Sequence, residues 1–553
     1  MQVSRFLGTF PPKVTGKRDL HRWQVAALVK LSAMEDKTMP TTRDLLNELE
    51  ARRNRVWEMG GAAKVEKQHL SGKLTARERI ALLFDPGTFQ EIGLFAAPAD
   101  DPDGTKYPCD GVVVGCGAVN GRLTFVAAQD FTVGGGAVGA MHAQKFCDVM
   151  EQALRCGAPF IQINDSGGAR IQEGVDALHG YGHIFRINTL LSGVVPQISI
   201  IAGPCAGGAA YSPALTDFVI MVAKEAKMFI TGPEVVKAAT GQEITAEELG
   251  GATVATDRSG VAHFMAQNDE DAIRITKRLL SFLPQSNSAD PPRSAETESL
   301  EFAADPFLDE VIPDNPRAPY NVLDVIIRLV DGRDFLEVQA RYARNTVVGF
   351  GRIGGRSVGI IANQPSVLAG ALDINSSDKA SRFILFCDAM NIPLVTLVDV
   401  PGFLPGIEQE HGGIIRHGAK MLYAYGAATV PKITIILRKA YGGAFLAMCG
   451  KAMGADRVFA WPTAEIAVMG AEGAVQILYK KELDQAADPK ALRTEKYEEY
   501  RRQHASPYVA AGHGQVDAVI LPRDTREYLL FSLETLHTKR ELRPAKKHGT
   551  MPL

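Results

Sequence analysis

The chain has 553 residues, of which 46% are hydrophobic and 22% are charged, and its formal net charge is −3. This size and composition are typical of a soluble protein with two to four domains. The balanced charge gives no electrostatic reason to expect nucleic-acid binding or attachment to an anionic membrane, and no apolar run approaches the length that spans a bilayer.

Residues 1–40 are predicted to form an N-terminal tail with a short helix near His21–Ala33. Four basic residues precede the first acidic one, Asp19, and this pattern is one feature of transit peptides. Pro11-Pro12 and the lack of a Ser/Arg-rich helix favour a poorly ordered tail instead. The seven cysteines form no CxxC pair, so we expect reduced, buried thiols, a cytoplasmic protein and no metal site.

Two helices are predicted before the first strands. One starts at about Thr42, which is a plausible N-cap with Asp44 in the first turn, and stops or breaks at Gly60-Gly61. The second helix is Leu74–Leu83, followed by the turn Asp85-Pro86-Gly87. Both are expected to precede the first copy of a repeated domain.

Strands and helices then alternate, as in an α/β layered domain. Val112–Val119 and Leu123–Ala128 flank Asn120-Gly121, a strong hairpin signal. Two short apolar runs are predicted to be buried strands, and other segments are predicted to be helices. These strands are Ile161–Asn164 and Gln197–Ala202, and the helices include His142–Cys156 and Ser376–Ala389.

Residues 284–293 are rich in Pro, Ser and Asn and are predicted to link the two copies. The first copy is expected to end near Leu283, and the second to run from about Asp309 to Leu536. The basic tail Lys539–Leu553 is expected to be frayed.

The two copies share three blocks at a nearly constant offset of 234 or 235 residues. Val113–Arg122 returns as Val347–Arg356, and Phe160–Asp165 returns as Leu394–Asp399. The strand that starts at Pro196 and is followed by Gly207-Gly208-Ala209 returns as the strand at Pro431, followed by Gly442-Gly443-Ala444. This period is far longer than that of stacked repeats, so one domain has been duplicated.

The sequence Gly349–Gly354 matches the GxGxxG fingerprint of dinucleotide-binding proteins. That function requires a helix directly after the glycines, but the next residues, 356–362, look like a strand. The matching turn of the first copy is Asn120-Gly121. Both are therefore predicted to be hairpin turns and not nucleotide sites.

The glycine pairs at 207–208 and 442–443 differ from these hairpin turns, because each pair follows an apolar strand and opens a helix-like segment. Small residues there let free backbone N–H groups approach a ligand closely, which suits a developing oxyanion. Close packing of helix on strand is the structural alternative. The loops at Asp165–Arg170 and Asp399–Phe403 are candidate second walls, although a plain surface turn is equally compatible with either one.

No side chain stands out as a catalytic base. Ser166 does not lie in a GxSxG motif and has no obvious His partner, which argues against a Ser-His-Asp hydrolase. The histidines are scattered and are expected to lie at the surface or in packing positions.

Long motifs in both copies resemble the carboxyltransferase β subunit of biotin-dependent acyl-CoA carboxylases, and in particular the propionyl-CoA carboxylase β chain. The resemblance covers roughly residues 42–536. The motifs are Phe131–Ala137, Asp165–Gly174, Gly203–Gly208, Tyr211–Ala214, Met228–Pro233, Asp399–Gly406, Lys439–Ala444, Ala460–Pro462 and Ala467–Gly470.

This resemblance implies an α/β fold of two tandem crotonase-like (ClpP/crotonase) domains, here 41–295 and 296–553. It implies a homohexamer in which the N domain of one chain meets the C domain of another at the active site. The implied reaction moves carboxylate from carboxybiotin to the α-carbon of an acyl-CoA. Since biotin itself can accept the proton, no side-chain base is required.

The resemblance also assigns roles to residues. Gly207 and Gly208 would supply the first oxyanion cradle, favoured for the thioester, and Gly443 and Ala444 the second, favoured for biotin. Residues near the coenzyme A and biotin would be Gly135, Gly136, Ala137, Gly167, Gly168, Ala169, Gly402 and Phe403.

Two positions depart from the propionyl-type pattern. Relatives usually carry Tyr-Asp after the second GGA, where this chain has Phe445-Leu446, and Gly134 stands where relatives often have Phe. We expect a larger, more apolar acyl pocket.

The chain contains no Met-Lys-Met biotinylation motif and no evident ATP-grasp region. The expected partner is therefore a separate biotin carboxylase and biotin-carrier α subunit. The closest alternative is a biotin-dependent acyl-CoA decarboxylase or transcarboxylase subunit. A crotonase-type hydratase and a non-catalytic scaffold are further alternatives; the first normally has one such domain and acidic catalytic residues, and the intact glycine pairs argue against the second.

Overall fold

The computed structural model describes residues 40–294 and 304–552. The chain divides into two compact units, residues 1–57 and 58–553. In the first unit the described part is helix α1, Thr42–Trp57. Thr41 caps it: its Oγ1 accepts from the backbone N of Asp44 at 3.2 Å, and its own N donates to Asp44 Oδ2 at 2.9 Å. The N-cap is thus Thr41 and not Thr42, while the helix expected near His21–Ala33 lies outside the described residues.

The first half of the second unit opens with two helices and then builds a sheet. Gly60-Gly61 separates α1 from a helix that the sequence did not predict, α2, and Thr75 caps α3 through a capping box with Glu78. Helices α2 to α10 are Ala62–Leu70, Ala76–Leu83, Ala140–Cys156, Val175–Leu191, Tyr211–Leu215, Pro233–Thr240, Ala246–Gly250, Ala252–Asp257 and Asp269–Phe282. Strands β1 to β8 are Gln90–Ile92, Val112–Val119, Arg122–Gln129, Phe160–Ser166, Gln197–Ala206, Phe218–Val222, Lys227–Phe229 and Phe264–Ala266.

The second half repeats this arrangement. Helices α11 to α20 are Val322–Leu329, Ile374–Ala389, Ile407–Gly412, Ile414–Ala427, Gly442–Ala447, Ala471–Leu478, Lys480–Gln485, Pro489–Tyr500, Pro507–Gly512 and Thr525–Leu536. Strands β9 to β16 are Leu336–Val338, Thr346–Ile353, Arg356–Asn363, Leu394–Val400, Lys432–Tyr441, Arg457–Ala460, Glu465–Ala467 and Ala518–Val519. A π-helical turn, Arg501–Ala505, follows α18.

Each half forms one eight-stranded sheet. The first has the order β1-β2-β3-β4-β5-β6-β8 with β7 beside β5, and the second has β16-β14-β13-β12-β11-β10-β9 with β15 beside β13. In both sheets a hairpin pairs antiparallel and the strands that follow pair parallel. The predicted fold of two duplicated α/β halves is confirmed. The limits 41–295 and 296–553 stay a prediction, since residues 295–303 lie outside the described part.

Both predicted hairpins are present, including the one at the GxGxxG sequence. An aspartate holds each turn in the same way: Asp85 accepts from the backbone N of Gly121 at 2.7 Å, and Asp331 from that of Gly355 at 2.7 Å. Because a strand and not a helix follows Gly354, the nucleotide alternative fails on geometry.

An aromatic cluster joins the two halves. Phe350 of β10 lies 6.0 Å, between ring centroids, from both Phe218 of β6 and Phe282 of α10. Phe386 of α12 packs on Phe218 at 4.7 Å. The second half has its own core between its sheet and helices α11 and α20.

Three expectations are refined or corrected by the structure. The predicted linker is fixed in place, since Asn287 N donates to Val194 O and Asn391 Nδ2 donates to Asn287 O. The basic tail is held at its start, where Arg543 Nη1 donates to Gly426 O at 2.6 Å, so it is not frayed there. All seven cysteines are free thiols, but Cys116 is half-buried and Cys156 is exposed. Within 40–294 and 304–552, no helix is long and apolar enough to cross a membrane.

Candidate active site

The first predicted cradle lies at the carboxyl end of β5. The strand remains extended to Ala206, at φ −115° and ψ 150°, and Gly207 then turns the chain into a short 3-10 helix, Gly207–Ala210. Gly207 has φ +63°, a conformation that strongly favours glycine. The first N–H groups of such a helix have no partner within it, so the backbone amides of this turn are oriented for an acceptor.

The second cradle has the same backbone geometry. β13 ends at Tyr441 with φ −111° and ψ 133°, and Gly442, with φ +59°, opens α15. Gly442 therefore corresponds to Gly207 and Gly443 to Gly208, while Ala444 corresponds to Ala209. All four predicted cradle residues lie at these two strand-to-helix turns, and their catalytic role stays a prediction.

The six glycine and alanine residues predicted around the first cradle come together in two touching loops. Gly167 N donates to Gly135 O at 2.9 Å, and Val138 N donates to Gly168 O at 2.9 Å. Gly136 leaves no space for a side chain, since a Cβ there would lie 2.1 Å from Asp165 O. A Cβ on Gly168 would lie 3.0 Å from Ala206 O, so the loop after β4 contacts the residue that precedes the cradle.

The second half builds the same loop contact. Leu372 N donates to Gly402 O at 3.1 Å, and Leu404 N donates to Leu372 O at 2.7 Å, as Val138 does with the loop after β4. Phe403 packs against α14, where a Cβ on Gly418 would lie 2.9 Å from its ring. Gly402 and Phe403 are thus the counterparts of Gly168 and Ala169.

A buried carboxylate fixes each of these loops. Asp165 accepts from Lys73 Nζ at 2.9 Å, from Arg79 Nη1 at 3.1 Å and from Gln68 Nε2 at 3.0 Å. Its counterpart, Asp399, is held by different donors.

Asp399 accepts from Arg438 Nε at 2.9 Å and from Lys439 N at 3.1 Å. Burial raises the pKa of the Asp399 carboxyl, an effect that Arg438 opposes. The duplication thus retained the carboxylate but not its partners. Since both groups are fully engaged within the fold, they anchor loops and are poorly placed to act as bases.

Side chains suited to nucleophilic or basic chemistry are also engaged within the fold. Ser166 Oγ donates to Gly136 O at 2.7 Å and accepts from Gly168 N at 3.1 Å, which agrees with its exclusion as a hydrolase nucleophile. Burial lowers the pKa of His142 to about 3, and its Nδ1 lies 2.9 Å from Asp110 O. His142 is therefore a neutral packing residue.

The second cradle opens into a cavity of about 750 Å³, a volume suited to a small molecule. Gly443 lies on its wall, and a Cβ added there would meet nothing within 4 Å. Phe445 and Leu446, the two residues that depart from the propionyl-type pattern, lie on the same wall. Leu446 is 42% exposed and contacts the open space directly.

Much of the cavity wall comes from residues that the sequence did not single out. Tyr500 and His504, at the end of α18 and in the π-helical turn, line it together with Lys451 and Gln515. No motif marks these positions, and they lie 57 residues or more beyond Gly443 except for Lys451. The π-helical turn, a rare element often found at functional sites, is the one structural signal that points to them.

Gly134 shows why a larger residue would not fit this backbone. It has φ +58°, and a Cβ there would lie 2.8 Å from Tyr107 Cε1. The Tyr107 ring therefore occupies space that a side chain at position 134 would need.

Comparison with known proteins identifies the family. The carboxyl transferase domain matches residues 67–551. The chain is 55% identical over 516 residues to the carboxyltransferase subunit of propionyl-CoA carboxylase of Haloferax mediterranei, covering 93% of this chain and 100% of that protein. It is 54% identical over 511 residues to the α subunit of methylmalonyl-CoA decarboxylase of Propionigenium modestum, covering 92% and 99%.

A solved structure agrees in fold with most of the chain. It is the transcarboxylase 12S hexamer with methylmalonyl-coenzyme A and methylmalonic acid bound, at 55% identity and a TM-score of 0.91. The match covers 94% of this chain and 99% of that one. Proteins named for three activities, a carboxylase, a decarboxylase and a transcarboxylase, are thus nearly equally identical in sequence to this chain. Overall sequence identity therefore does not distinguish among these activities.

Proposed function

The chain belongs to the carboxyl transferase domain family, and from this we propose that it is the carboxyltransferase subunit of a biotin-dependent acyl-CoA carboxylase, a ligase. It would move carboxylate from carboxybiotin to the α-carbon of an acyl-CoA. The observation that carries the proposal is the pair of strand-to-helix turns with matching conformation, at Gly207 and at Gly442.

Two cradles suit this reaction because two carbonyl oxygens gain negative charge in it. The substrate carboxybiotin supplies the carboxylate and, after its release, a ring nitrogen that takes the α-proton. The amides near Gly207 and Gly208 would hold the thioester oxygen, and those near Gly443 and Ala444 the ureido oxygen. Loss of one such donor typically costs about 10²–10³ in rate. No side-chain base is needed, in keeping with the engaged states of Asp165, Asp399 and His142.

The residues present fit both groups. The open space over Gly443 and the apolar cavity beside it can take a bicyclic ring, with no side chain in the way. In the first half, the loops at 134–137 and 166–170 contain several glycines. Their backbone amides are therefore accessible, which allows a long, polar substrate such as coenzyme A to approach closely.

Assembly with other chains is part of the proposal. Large apolar side chains are exposed shortly after the loops that follow β4 and β12. They are Ile171, Val175 and Leu178 in the first half, and Ile407 and Ile415 in the second. Exposed apolar groups of this kind mark interaction surfaces. We propose that they join copies into a hexamer, so that the first cradle of one copy faces the second cradle of another.

The biotin would be carried by a separate α subunit that also holds the biotin carboxylase, and the complex would act in the cytoplasm, in fatty-acid metabolism. The alternative remains a decarboxylase or transcarboxylase subunit, as two of the similar proteins are named. Those enzymes would share the same half-reaction and differ in the donor or acceptor of the carboxylate.

The direct test is the half-reaction of the purified chain. With methylmalonyl-CoA and free biotin, we expect biotin-dependent release of CO2. With propionyl-CoA, ATP and bicarbonate, we expect carboxylation only after a biotinylated α subunit is added. ATP-driven carboxylation by the chain alone would contradict this division of labour, and a lack of biotin-dependent decarboxylation would contradict the function itself.

Acyl selectivity should depend on Leu446, because the acyl group held at the first cradle of one copy would meet the biotin beside this cavity wall of another copy. Replacing this aliphatic side chain with a carboxylate, in Leu446→Asp, should shift preference from longer acyl-CoAs towards propionyl-CoA, because a charged wall disfavours apolar chains. We expect the ratio of kcat/KM values to change by about tenfold or more, the scale on which pockets discriminate small apolar differences. Steady-state kinetics across acyl lengths measure it.

The matched control is Ile477→Asp, which introduces the same change at an exposed apolar position of α16 that is not on the cavity wall. This control should leave the ratios as they are. Unchanged ratios in Leu446→Asp would count against the pocket assignment.

A further inference from the structure

Three side chains from three elements form a hydrogen-bonded chain directly behind the second cradle. The hydroxyl of Tyr441, the last residue of β13, donates to Glu465 Oε2, and Arg501 Nε donates to Glu465 Oε1 at 2.9 Å. Glu465 begins β15 and is 8% exposed, whereas Arg501 opens the π-helical turn. We call this chain the Tyr441–Glu465–Arg501 clamp.

The clamp fixes the residue on which the second cradle depends. Tyr441 immediately precedes Gly442, whose turn sets the direction of the Gly443 amide. The Tyr441 ring is wedged against Gly470, where a Cβ would lie 3.1 Å from ring atom Cε2. Burial, together with the bond to Glu465, raises the pKa of the Tyr441 phenol well above its usual value, so it stays a neutral donor.

The same three residues connect two segments that line the cavity. Glu465 is followed in β15 by Ile466 and Ala467, which line the cavity, and β15 pairs with the end of β13. Arg501 is followed by the rest of the π-helical turn, in which His504 also lines the cavity. A movement of the π-helical turn would therefore be transmitted through Glu465 to the cradle strand.

The first cradle has no such clamp. By strand pairing, Lys439 lies opposite Glu465 as Pro204 lies opposite Lys227, so Lys227 occupies the position of Glu465. Lys227 is instead paired with Glu247 at 2.6 Å, and the position of Tyr441 holds Ala206. Duplication preserved both turns, but only the second turn gained the clamp.

We propose that Glu465 and Arg501 act through Tyr441 as positioning residues for the second cradle. They hold its amides in the geometry that stabilises the ureido oxygen of biotin, and they do not touch the acyl-CoA. This inference rests on the proposed function and assigns the clamp to one of its two substrates. The π-helical turn brings Arg501 onto Glu465 and His504 to the cavity wall.

Tyr441→Phe tests the clamp, because it removes the hydroxyl and leaves the ring. In biotin-dependent decarboxylation of methylmalonyl-CoA we expect kcat/KM for free biotin to fall about tenfold, with KM for the acyl-CoA within twofold of the wild type. Arg501→Gln should produce a similar loss, and Arg501→Lys should restore part of it by keeping the charge. Tyr528→Phe, a matched change on α20 where the ring packs on Phe459, should have no effect.

The outcomes separate the two levels of the proposal. Inactive wild-type protein would contradict the function, whereas an active wild type whose Tyr441→Phe variant matches it in both constants would overturn the clamp. A lower melting temperature with unchanged kinetics would also overturn it, because that result describes a structural role alone. Equal effects on biotin and acyl-CoA would contradict the assignment to the second cradle.

Discussion

Gly443→Leu is expected to lower carboxyl transfer by at least about 100-fold while the protein stays folded. A Cβ at this position meets no atom within 4 Å, and the residue does not have a positive φ, so the backbone accepts a side chain. Leucine also has a better helix propensity than glycine. The added side chain would fill the cavity over the cradle amides, which removes access to an oxyanion donor.

The measurement is biotin-dependent decarboxylation together with a thermal melt. The control is Gly512→Leu, a helical glycine of α19 that is likewise open and is not on the cavity wall. The control should keep full activity, and both variants should melt close to the wild type. Full activity in Gly443→Leu would show that the second cradle takes no part in the reaction.

Gly208→Val should be as damaging in the first half, for a different reason. A Cβ at Gly208 would lie 3.2 Å from Tyr181 Cδ2, tighter than ordinary contact, so the turn must move away from the ring. Tyr181 is buried in α5 and has little freedom to yield. The displaced amides would no longer meet the thioester oxygen, and we expect a loss of about 100-fold in kcat.

Kinetics and melting again separate the effects. Gly208→Ala should give a smaller loss in the same direction, because a single methyl requires a shift of only a few tenths of an ångström. If Gly208→Val retained wild-type kcat, the first cradle would have no role in the chemistry.

The sequence predicted those features that local chemistry sets. The two hairpins follow from Asn120-Gly121 and Gly354-Gly355, and the two cradle turns follow from small residues placed after apolar strands. The internal duplication was visible because strands keep their spacing even where side chains change. The structure shows the same duplication in the strand pairing, because both sheets have a bulge at the equivalent aspartate, Asp165 or Asp399.

The sequence did not reveal features that depend on tertiary contacts. The sequence predicts that the first helix stops or breaks at Gly60-Gly61, but no local pattern predicts that α2 begins directly after these glycines. The cavity walls at Tyr500 and His504 come from the end of α18 and from the π-helical turn that follows it, whose register no local pattern encodes. Likewise Arg501 and Glu465 are 36 residues apart, and only the pairing of β15 with β13 shows that they meet behind the cradle.

The central claim is that one active site forms from the first cradle of one copy and the second cradle of another. Mixing Gly208→Val and Gly443→Leu chains during assembly tests it directly. In a random 1:1 mixture each site has an intact first cradle half the time and an intact second cradle half the time, so about a quarter of wild-type activity should return. If the mixed protein assembles but stays as inactive as its parents, the two cradles do not meet across a subunit boundary.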